Sequence, residues 1–169
     1  MAKIRIAGIQ DDSVVDGEGI RLTVFGQGCP HHCKGCHNPT TWDSEGGYTT
    51  TTEEILEQYK NNPLLDGVTF SGGEPFMQSF AFIDLADKIH EAGGDVWCYT
   101  GFTLEELSRY SAGPYKTLLS KVDVLVDGKF IEKLRDISLL FRGSRNQRIW
   151  IRQGDKWEIW PESLTQLAG

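Results

Sequence analysis

The sequence predicts an α/β protein, built as a partial, open (β/α) barrel around a mostly parallel sheet. Two observations lead to this prediction: strand-like and helix-like segments alternate along the chain, and polar or glycine-rich clusters follow the strand-like segments. In parallel α/β folds the carboxyl ends of the strands carry the site. A complete (β/α)8 barrel needs about 250 residues, and this chain has 169. A partial barrel is therefore favoured over the alternative, a nearly flat, doubly wound sheet.

The individual elements follow from apolar patterning between turn residues. Thr51 and Glu54 have the spacing of a capping box, which predicts that the first helix begins there. Strands are predicted at 22–26, 67–70, 95–99, 122–126 and 147–151, and helices at 53–59, 80–91, 104–110 and 115–119. A last short hairpin is predicted around 157–160. No linker or internal repeat interrupts the series, so residues 1–169 are expected to form a single domain.

Composition and charge narrow the function classes. The chain is 39% hydrophobic and 24% charged, as is ordinary for a soluble globular protein, and its formal net charge is -7. An acidic chain argues against general binding to nucleic acids or anionic membranes, which would need a basic face. No apolar run is long enough to span a bilayer, and the N-terminus has no signal-peptide core. A cytoplasmic location is expected, where clustered cysteines more often bind metal or do chemistry than form disulfides.

Three of the four cysteines lie in the stretch CPHHCKGCHNPTTWD, residues 29–43. Cys29, Cys33 and Cys36 follow the pattern C-x3-C-x2-C, and cysteine thiolates are the main ligands of iron–sulfur clusters. Three thiolates on a four-iron cluster leave one iron open, and an open iron can bind and activate a small molecule. The pattern therefore favours a cluster that takes part in chemistry.

Structural zinc is the alternative for the same loop. Zinc binds four ligands, and Cys98 or a histidine near the loop could supply the fourth; the histidines are His31, His32 and His37. Structural zinc sites usually come as two paired knuckles, however, and a second C-x2-C is absent here. A disulfide with one free thiol is disfavoured in a reducing compartment. Cys98, among the apolar residues of a predicted strand, is interpreted as an inert buried side chain.

A second cluster, SGGEP at 71–75, follows the apolar stretch GVTF. Gly72 and Gly73 would let the backbone approach a ligand where any side chain would clash. The carboxylate of Glu74 could accept a hydrogen bond from an ammonium group. The alternative is a plain strand-to-helix turn, with Glu74 at the start of the helix, where the dipole favours a negative charge.

Together, the C-x3-C-x2-C loop and the glycine–glycine–glutamate element resemble the radical S-adenosylmethionine enzymes. The resemblance implies a partial barrel of the radical S-adenosylmethionine type, with one [4Fe-4S] cluster held by Cys29, Cys33 and Cys36. It also implies that S-adenosyl-L-methionine chelates the open iron. That superfamily usually has an aromatic residue where this chain has Gly35, and His37 is expected to take over its packing. The cofactor contacts implied so far are Gly35, Cys36, His37, Gly72, Gly73 and Glu74, the last three at the amino group of the methionine moiety.

Further stretches resemble the glycyl-radical-enzyme activases. These are DGEGIR, CHNPTTWD, VWCYTGFTLEEL, VDVLVDGKF and FRGSRNQRI, which are spread along the chain from residue 16 to residue 149. They are similar to the activases of anaerobic ribonucleoside-triphosphate reductase, whereas the pyruvate formate-lyase activases are similar in the first half only. Matching residues of such activases contact S-adenosylmethionine, which adds Asp127 and Lys129 to the expected cofactor contacts. Without the resemblance, Asp127 and Lys129 would be interpreted as solvated charges of a surface turn.

The resemblance implies a reaction in which the protein binds and orients while the cofactors do the chemistry. Reduced flavodoxin or ferredoxin supplies an electron to the cluster, and S-adenosylmethionine is cleaved to methionine and a 5′-deoxyadenosyl radical. That radical removes a hydrogen from the α-carbon of one glycine on the large subunit of the reductase. No acid–base side chain is expected. The partner glycine would enter an open barrel from the side, with the DGEG loop as part of the cleft.

Two further groups of residues have open interpretations. Thr100 and Tyr99 end a strand at the expected site and line it, unless Tyr99 only packs. Arg142, Arg145 and Arg148 form a basic run in an acidic chain, which is either solvated or docks an acidic partner surface.

Overall fold

The computed structural model describes residues 2–160 and places eight strands in one sheet. The strands are β1 (Lys3–Ser13), β2 (Arg21–Gly26), β3 (Tyr48–Thr51), β4 (Gly67–Gly72), β5 (Asp95–Tyr99), β6 (Val124–Asp127), β7 (Arg148–Gln153) and β8 (Lys156–Ile159). The α-helices are α1 (Thr52–Lys60), α2 (Ser79–Glu91), α3 (Leu104–Ser108) and α4 (Pro114–Lys121). Across the open sheet the order is β3-β1-β2-β4-β5-β6-β7-β8. Among the described residues no helix is long and apolar enough to cross a membrane.

The four central strands, β2, β4, β5 and β6, are parallel and lie side by side in the order of the sequence. Crossover connections are almost always right-handed, so a strand order that advances in one direction places the helices on one face of the sheet. Side chains of all four helices share one core with Leu22, Phe70 and Val96 of these strands. A doubly wound sheet reverses its strand order and carries helices on both faces, so the structure does not adopt that alternative.

The sheet is mixed, which corrects the expectation of a mostly parallel sheet across its whole width. β1 and β3 pair antiparallel on one side of the central strands, and β7 and β8 pair antiparallel on the other. The sequence prediction omits β1 and β3. Ile4 and Ile6 are buried in alternation with Lys3 and Arg5, and this period of two was the available signal for β1. The α/β class is confirmed, and the parallel arrangement holds for the four central strands.

The threonine run at 49–52 serves two elements. The side chain of Thr51 accepts a hydrogen bond from the N–H of Glu54 at 3.2 Å, which confirms the predicted cap of α1. The same run also forms most of β3, because β-branched side chains suit a strand and the backbone pairs with β1. A capping signal therefore did not exclude a strand immediately before the helix.

The remaining predicted elements are present with shifted ends. α3 stops at Ser108 rather than continuing to residue 110, and β6 begins at Val124 because Val122 caps α4. The predicted strand 147–151 and the predicted hairpin around 157–160 prove to be the two arms of one hairpin, β7 and β8.

The face of the sheet opposite the helices is polar at its centre. Arg21 is fully buried there and donates to the hydroxyl of Thr69 at 2.7 Å. The hydroxyl of Thr69 donates in turn to the carbonyl of Asp16 at 2.7 Å, and the carboxylate of Asp16 accepts from the hydroxyl of Thr23 at 3.2 Å. These bonds hold the DGEG loop, residues 16–19, against this face of the sheet.

Candidate functional site

The polar clusters predicted from the sequence follow the carboxyl ends of the four parallel strands. The cysteine loop follows β2, Glu74 follows β4, Thr100 follows β5 and Asp127 ends β6. Because parallel strands end at the same edge of a sheet, these clusters lie on one edge. The carboxylate of Glu74 accepts a hydrogen bond from the hydroxyl of Thr100 at 2.9 Å, and the N–H of Glu74 donates to the carbonyl of Gly28 at 2.8 Å. Glu74 therefore joins the ends of β2, β4 and β5.

The glycine pair before Glu74 allows β4 to approach the root of the cysteine loop. Gly72 has a φ of +87°, and a Cβ added there would lie 2.6 Å from the Cα of Phe25. A Cβ on Gly73 would collide with the carbonyl of Gly28, which immediately precedes the first cysteine. The N–H of Gly73 donates to the carbonyl of Gly26 at 2.8 Å. The sequence predicted glycines for close approach to a ligand, and the structure adds a close approach to the chain's own backbone.

We expect Gly73→Ala to destabilise the protein, because the methyl group can be accommodated only if two backbone segments move apart. Overpacking of this kind costs about 1–3 kcal/mol, which chemical denaturation would measure. Gly8→Ala is the matched control, since a Cβ at Gly8 meets nothing within 4 Å. Equal free energies of unfolding for the two variants would contradict the assigned packing.

Glu74 has a fixed and fully satisfied carboxylate. The side chain is buried and accepts from the N–H of Gly101 at 2.8 Å and from the N–H of Phe76 at 3.1 Å, besides the bond from Thr100. His31 Nε2 lies 2.7 Å from Oε1 of Glu74. Backbone and hydroxyl donors thus hold the carboxylate in place, while its fourth partner is a side chain of the cysteine loop. His31 was considered from the sequence only as a zinc ligand, and its contact with Glu74 has no sequence signal.

The donor set of the cysteine loop suits an iron–sulfur cluster. Cys29, Cys33 and Cys36 are all half-buried, and the N–H of Asn38 donates to Sγ of Cys36 at 3.4 Å. Burial raises the pKa of the Cys29 and Cys33 thiols, while backbone N–H groups near both sulfurs act in the opposite direction. Hydrogen bonds to sulfur are among the means by which proteins tune such clusters. Three partly exposed thiols on one short loop, met by N–H donors, therefore fit the group.

The zinc alternative has no arranged ligand set in residues 2–160. No three His, Cys, Asp or Glu side chains there are placed to hold one metal ion. Cys98 is fully buried in the core shared with the helices, whereas the three cysteines of the loop are partly exposed. His31 contacts Glu74, and the ring of His32 stacks on Trp42 with centroids 4.6 Å apart. A multi-iron cluster makes a different demand on the loop, because each thiolate binds a different iron.

Gly35 stands where an aromatic residue was expected, and the structure supplies an aromatic ring from elsewhere. Gly35 has a φ of +75°, and a Cβ there would lie 3.1 Å from the side chain of Glu132 and 3.3 Å from the ring of Phe130. The ring of Phe130 also lies 5.2 Å from the ring of His37. Phe130, which follows β6, therefore packs against the cysteine loop together with His37. From the sequence, Phe130 was noted only as the last residue of VDVLVDGKF, a stretch that resembles the activases.

Asp127 and Lys129 border a cavity of about 540 Å³ beside the ends of β5 and β6. Asp127 is fully buried, and its carboxylate accepts from the N–H of Leu104 at 2.7 Å and from Arg148 at 2.6 Å. Lys129 is exposed and close to the loop: burial raises the pKa of Cys33, and the ammonium of Lys129 partly offsets that rise. The two charges therefore differ, since one is held by protein partners and the other faces solvent.

The predicted basic run divides in the same way. Arg142 is buried, and Arg148 pairs with Asp127 and with the exposed Glu105 at 2.6 Å in each case. Arg145 is the exposed member. The run as a whole is therefore neither a solvated patch nor a docking surface, because Arg142 is buried and Arg148 is paired with Asp127 and Glu105.

We expect Arg148→Met to destabilise the protein by about 3 kcal/mol, because removing one partner leaves the buried Asp127 carboxylate without its cation. Glu105→Gln is the control and should cost less than about 1 kcal/mol, since an exposed ion pair contributes little.

Bonds from Arg148 hold the pKa of Glu105 at about 2, below its ordinary 4.5. The small effect of Glu105→Gln should therefore be complete above pH 4.5 and vanish as the pH falls toward 2. Denaturation at several pH values measures both, and equal losses would contradict the assignment.

A second cavity, of about 470 Å³, lies between the segment before the DGEG loop and residues 137–143. His37 and Tyr99 contribute to its lining, and Val15 and Ile137 at its border are 71% and 90% exposed. Tyr99 donates its hydroxyl proton to the carbonyl of Phe141 at 2.8 Å, and burial raises its pKa. Tyr99 therefore both packs and lines a cavity. We call this cavity the apolar groove.

Comparison with known proteins points to one family. A family model described as "4Fe-4S single cluster domain" matches residues 15–150. The chain is 36% identical over 146 residues to the anaerobic ribonucleoside-triphosphate reductase-activating protein of Haemophilus influenzae, which covers 80% of this chain and 90% of that protein. It is 39% identical over 144 residues to the protein of the same name from Vibrio cholerae, again covering 80% of this chain and 90% of the relative. The protein of that name from enterobacteria phage T4 is 31% identical over 150 residues, covering 85% and 92%.

Proposed function

The chain belongs to the family of the anaerobic ribonucleoside-triphosphate reductase-activating proteins, and on that premise we propose that it activates such a reductase by generating a glycyl radical. The observation that carries the proposal is the joining of the three-cysteine loop to Glu74. The N–H groups of Gly73 and Glu74 donate to the carbonyls of Gly26 and Gly28, both at 2.8 Å, at the base of the loop. The three-cysteine loop and a buried carboxylate are thereby held at one sheet edge, which supports a site built from both.

Cys29, Cys33 and Cys36 would hold one [4Fe-4S] cluster, with a single iron left for S-adenosyl-L-methionine. When bound, the two groups together supply an electron and a 5′-deoxyadenosyl radical that can remove a hydrogen from a glycine α-carbon. The protein's part is to bind, to orient and to keep water and other hydrogen donors away. No side chain is assigned a role as acid or base. The partial barrel of the radical S-adenosylmethionine type belongs to this proposal, and so do the single domain 1–169 and the cytoplasmic location.

Glu74 is the residue that we assign to the amino group of S-adenosylmethionine. Its carboxylate is held by Gly101, Phe76 and Thr100, so it need not move when a ligand arrives. His31 is the partner that an ammonium group would replace. An ammonium beside a buried carboxylate gains from the low local dielectric, provided that the carboxylate keeps its other hydrogen bonds.

The other cofactor contacts surround this carboxylate. The cavity of about 540 Å³ next to Gly101 offers room for the nucleoside portion of S-adenosylmethionine, with Lys129 at its exposed border. Asp127 is already paired with Arg148, so it would contact a ligand there either in addition to Arg148 or in place of Arg148. The full set of proposed contacts is Gly35, Cys36, His37, Gly72, Gly73, Glu74, Asp127 and Lys129.

The apolar groove is where we place the glycine-bearing segment of the reductase's large subunit. The groove reaches His37, the residue after Cys36, so a peptide lying in it would come close to the cluster. Val14, Val15 and Ile137 at its border are exposed apolar side chains, which suit an extended peptide rather than a polar small molecule. Asp16, the first residue of the DGEG loop, also lines the groove, which supports the proposal that this loop is part of the cleft.

The test is anaerobic reconstitution with iron and sulfide, followed by incubation with S-adenosylmethionine, a reductant and the reductase. We expect 5′-deoxyadenosine in solution and a glycyl-radical signal on the reductase by electron spin resonance. Radical formation on another glycyl-radical enzyme, with none on the reductase, would transfer the assignment to that enzyme. One zinc per chain without iron or sulfide would overturn the proposal altogether.

A further inference from the structure

The surface beside the cysteine loop is basic, although the chain as a whole is acidic. Residues 129–148 carry six of the 17 lysines and arginines but only two of the 24 acidic residues. Arg142 of that segment is buried, and Arg148 is paired with Asp127 and Glu105. Besides Lys129, which borders the cavity described above, the exposed cations near the loop are Lys34, Lys133, Arg135 and Arg145, which we call the basic rim.

The basic rim is attached directly to the cysteine loop. Lys34 lies between Cys33 and Cys36, is 92% exposed and has its Nζ 3.9 Å from the carboxylate of Glu132. The N–H of Arg145 donates to the carbonyl of Leu134 at 2.9 Å, which brings Arg145 beside Lys133 and Arg135. The segment that carries these residues thus packs on the loop through Glu132 and on its own neighbours through the backbone.

Three charges of the basic rim lie outside the ion pairs of the fold. The nearby carboxylate that Arg145 influences is that of Asp136, whose pKa is lowered by hydrogen bonds from Ser138 and, to a lesser extent, by Arg145. Within residues 2–160, the side chains of Lys133, Arg135 and Arg145 form no ion pair. The acidic residue closest in sequence to Arg135 is Asp136, whose carboxylate accepts hydrogen bonds from the N–H and the hydroxyl of Ser138. Exposed cations with no such partner, grouped in an acidic protein, create a local positive field that attracts an acidic surface.

From this we infer that the basic rim docks the electron donor, a small redox protein with an acidic surface. The inference rests on the proposed function, which requires one electron per turnover: the donor loses one electron, the cluster gains one, and no bond or proton is transferred. Electron transfer slows steeply with distance, so the donor must dock beside the thiol loop. The rest of the chain is acidic and would repel an acidic donor, which leaves the basic rim as the place where docking and short distance coincide.

The test uses the triple charge reversal K133E/R135E/R145E, which leaves Lys34 and Lys129 in place. We expect the affinity for reduced flavodoxin or ferredoxin at low salt to fall by about 10- to 100-fold, as three exposed charge contacts become repulsive. The affinity of the unaltered protein should fall with added salt, while that of the variant should not. Rates of cluster reduction by the protein donor should follow the affinity, whereas reduction by dithionite should be unchanged.

Matched controls separate docking from folding and from net charge. K60E/K116E/K156E changes the total charge equally, at exposed lysines of α1, α4 and β8 that do not contact the cysteine loop, and should bind the donor normally. K133Q/R135Q/R145Q removes charge without reversing it and gives an intermediate result if the reversed variant folds poorly. Thermal unfolding and iron content confirm that the variants are intact.

The outcomes distinguish this inference from the proposed function. If dithionite supports radical formation but the charge-reversed variant binds and accepts electrons from the donor normally, the docking inference is wrong and the proposed function stands. If reversal weakens only the complex with the reductase, the rim belongs to that partner and the inference is also wrong. If dithionite-reduced protein cleaves no S-adenosylmethionine, the proposed function fails, and salt-dependent donor binding at the rim still decides the docking question.

Discussion

Cys33→Ala is expected to abolish both cluster assembly and cleavage of S-adenosylmethionine. Cys33 is the middle thiol of the loop and lies beside Phe130 and Lys129 of the segment after β6. Two thiolates from one short loop leave half of a four-iron cluster without protein ligands, so the iron is not retained. Iron and sulfide per chain after anaerobic reconstitution should fall to background, and no 5′-deoxyadenosine should form.

Cys98→Ala provides the matched control for the loss of a thiol. Cys98 is fully buried in the helix-facing core, so its replacement removes a little packing and leaves the loop intact. We expect normal iron content and normal cleavage for this variant. Cluster assembly in Cys33→Ala, or its loss in Cys98→Ala, would remove the assignment of the three loop cysteines as ligands.

Glu74→Gln is expected to weaken binding of S-adenosylmethionine by about 10- to 100-fold, because a hydrogen bond to a charged group contributes about 1.5–3 kcal/mol. Glutamine has almost the same shape, and its carbonyl can still accept from the N–H of Gly101 and the hydroxyl of Thr100. Its amide NH₂, however, cannot accept from the N–H of Phe76, and the negative charge that would attract an ammonium is gone. Equilibrium binding of S-adenosylmethionine to the cluster-loaded protein measures the effect.

Glu57→Gln serves as the control, since Glu57 is an exposed carboxylate of α1. It removes one negative charge without touching the site and should leave binding unchanged. An unchanged affinity in Glu74→Gln would show that the amino group is bound elsewhere. A large loss of iron in that variant would instead give Glu74 a role in holding the cysteine loop, which thermal unfolding would reveal.

The central strands and helices of the fold were predictable because their signals are local. Val68 and Phe70 in β4 and Leu85 and Ile89 in α2 show the apolar spacing of their elements and are all fully buried. β1 was missed because its alternation of charged and buried apolar residues covers only residues 3–6 and is interrupted by Ala7 and Gly8. β3 was missed because a short threonine run at an edge has no apolar face, so only its pairing partner makes it a strand.

The site divides in the same manner. The spacing of Cys29, Cys33 and Cys36 and the adjacency of Gly72, Gly73 and Glu74 are properties of the chain, and with the resemblance they predicted the iron–sulfur family that the comparisons show. The contact of His31 with Glu74 joins residues 43 positions apart. Nothing in either stretch specifies that contact, because it depends on how β2 and β4 are aligned.

The sequence alone therefore specifies the candidate ligands, the candidate carboxylates and the order of the central strands that present them. Which charged side chains stay exposed at the surface, where a ligand or partner can meet them, depends on the tertiary structure. All four of Asp127, Lys129, Arg145 and Arg148 are charged residues in the same part of the sequence. Asp127 and Arg148 form an ion pair at 2.6 Å, whereas Lys129 and Arg145 are exposed. The reason is that a buried charge without a partner is strongly destabilising. Whether a charged side chain is buried depends on the packing of β6, β7 and α3 rather than on its residue type.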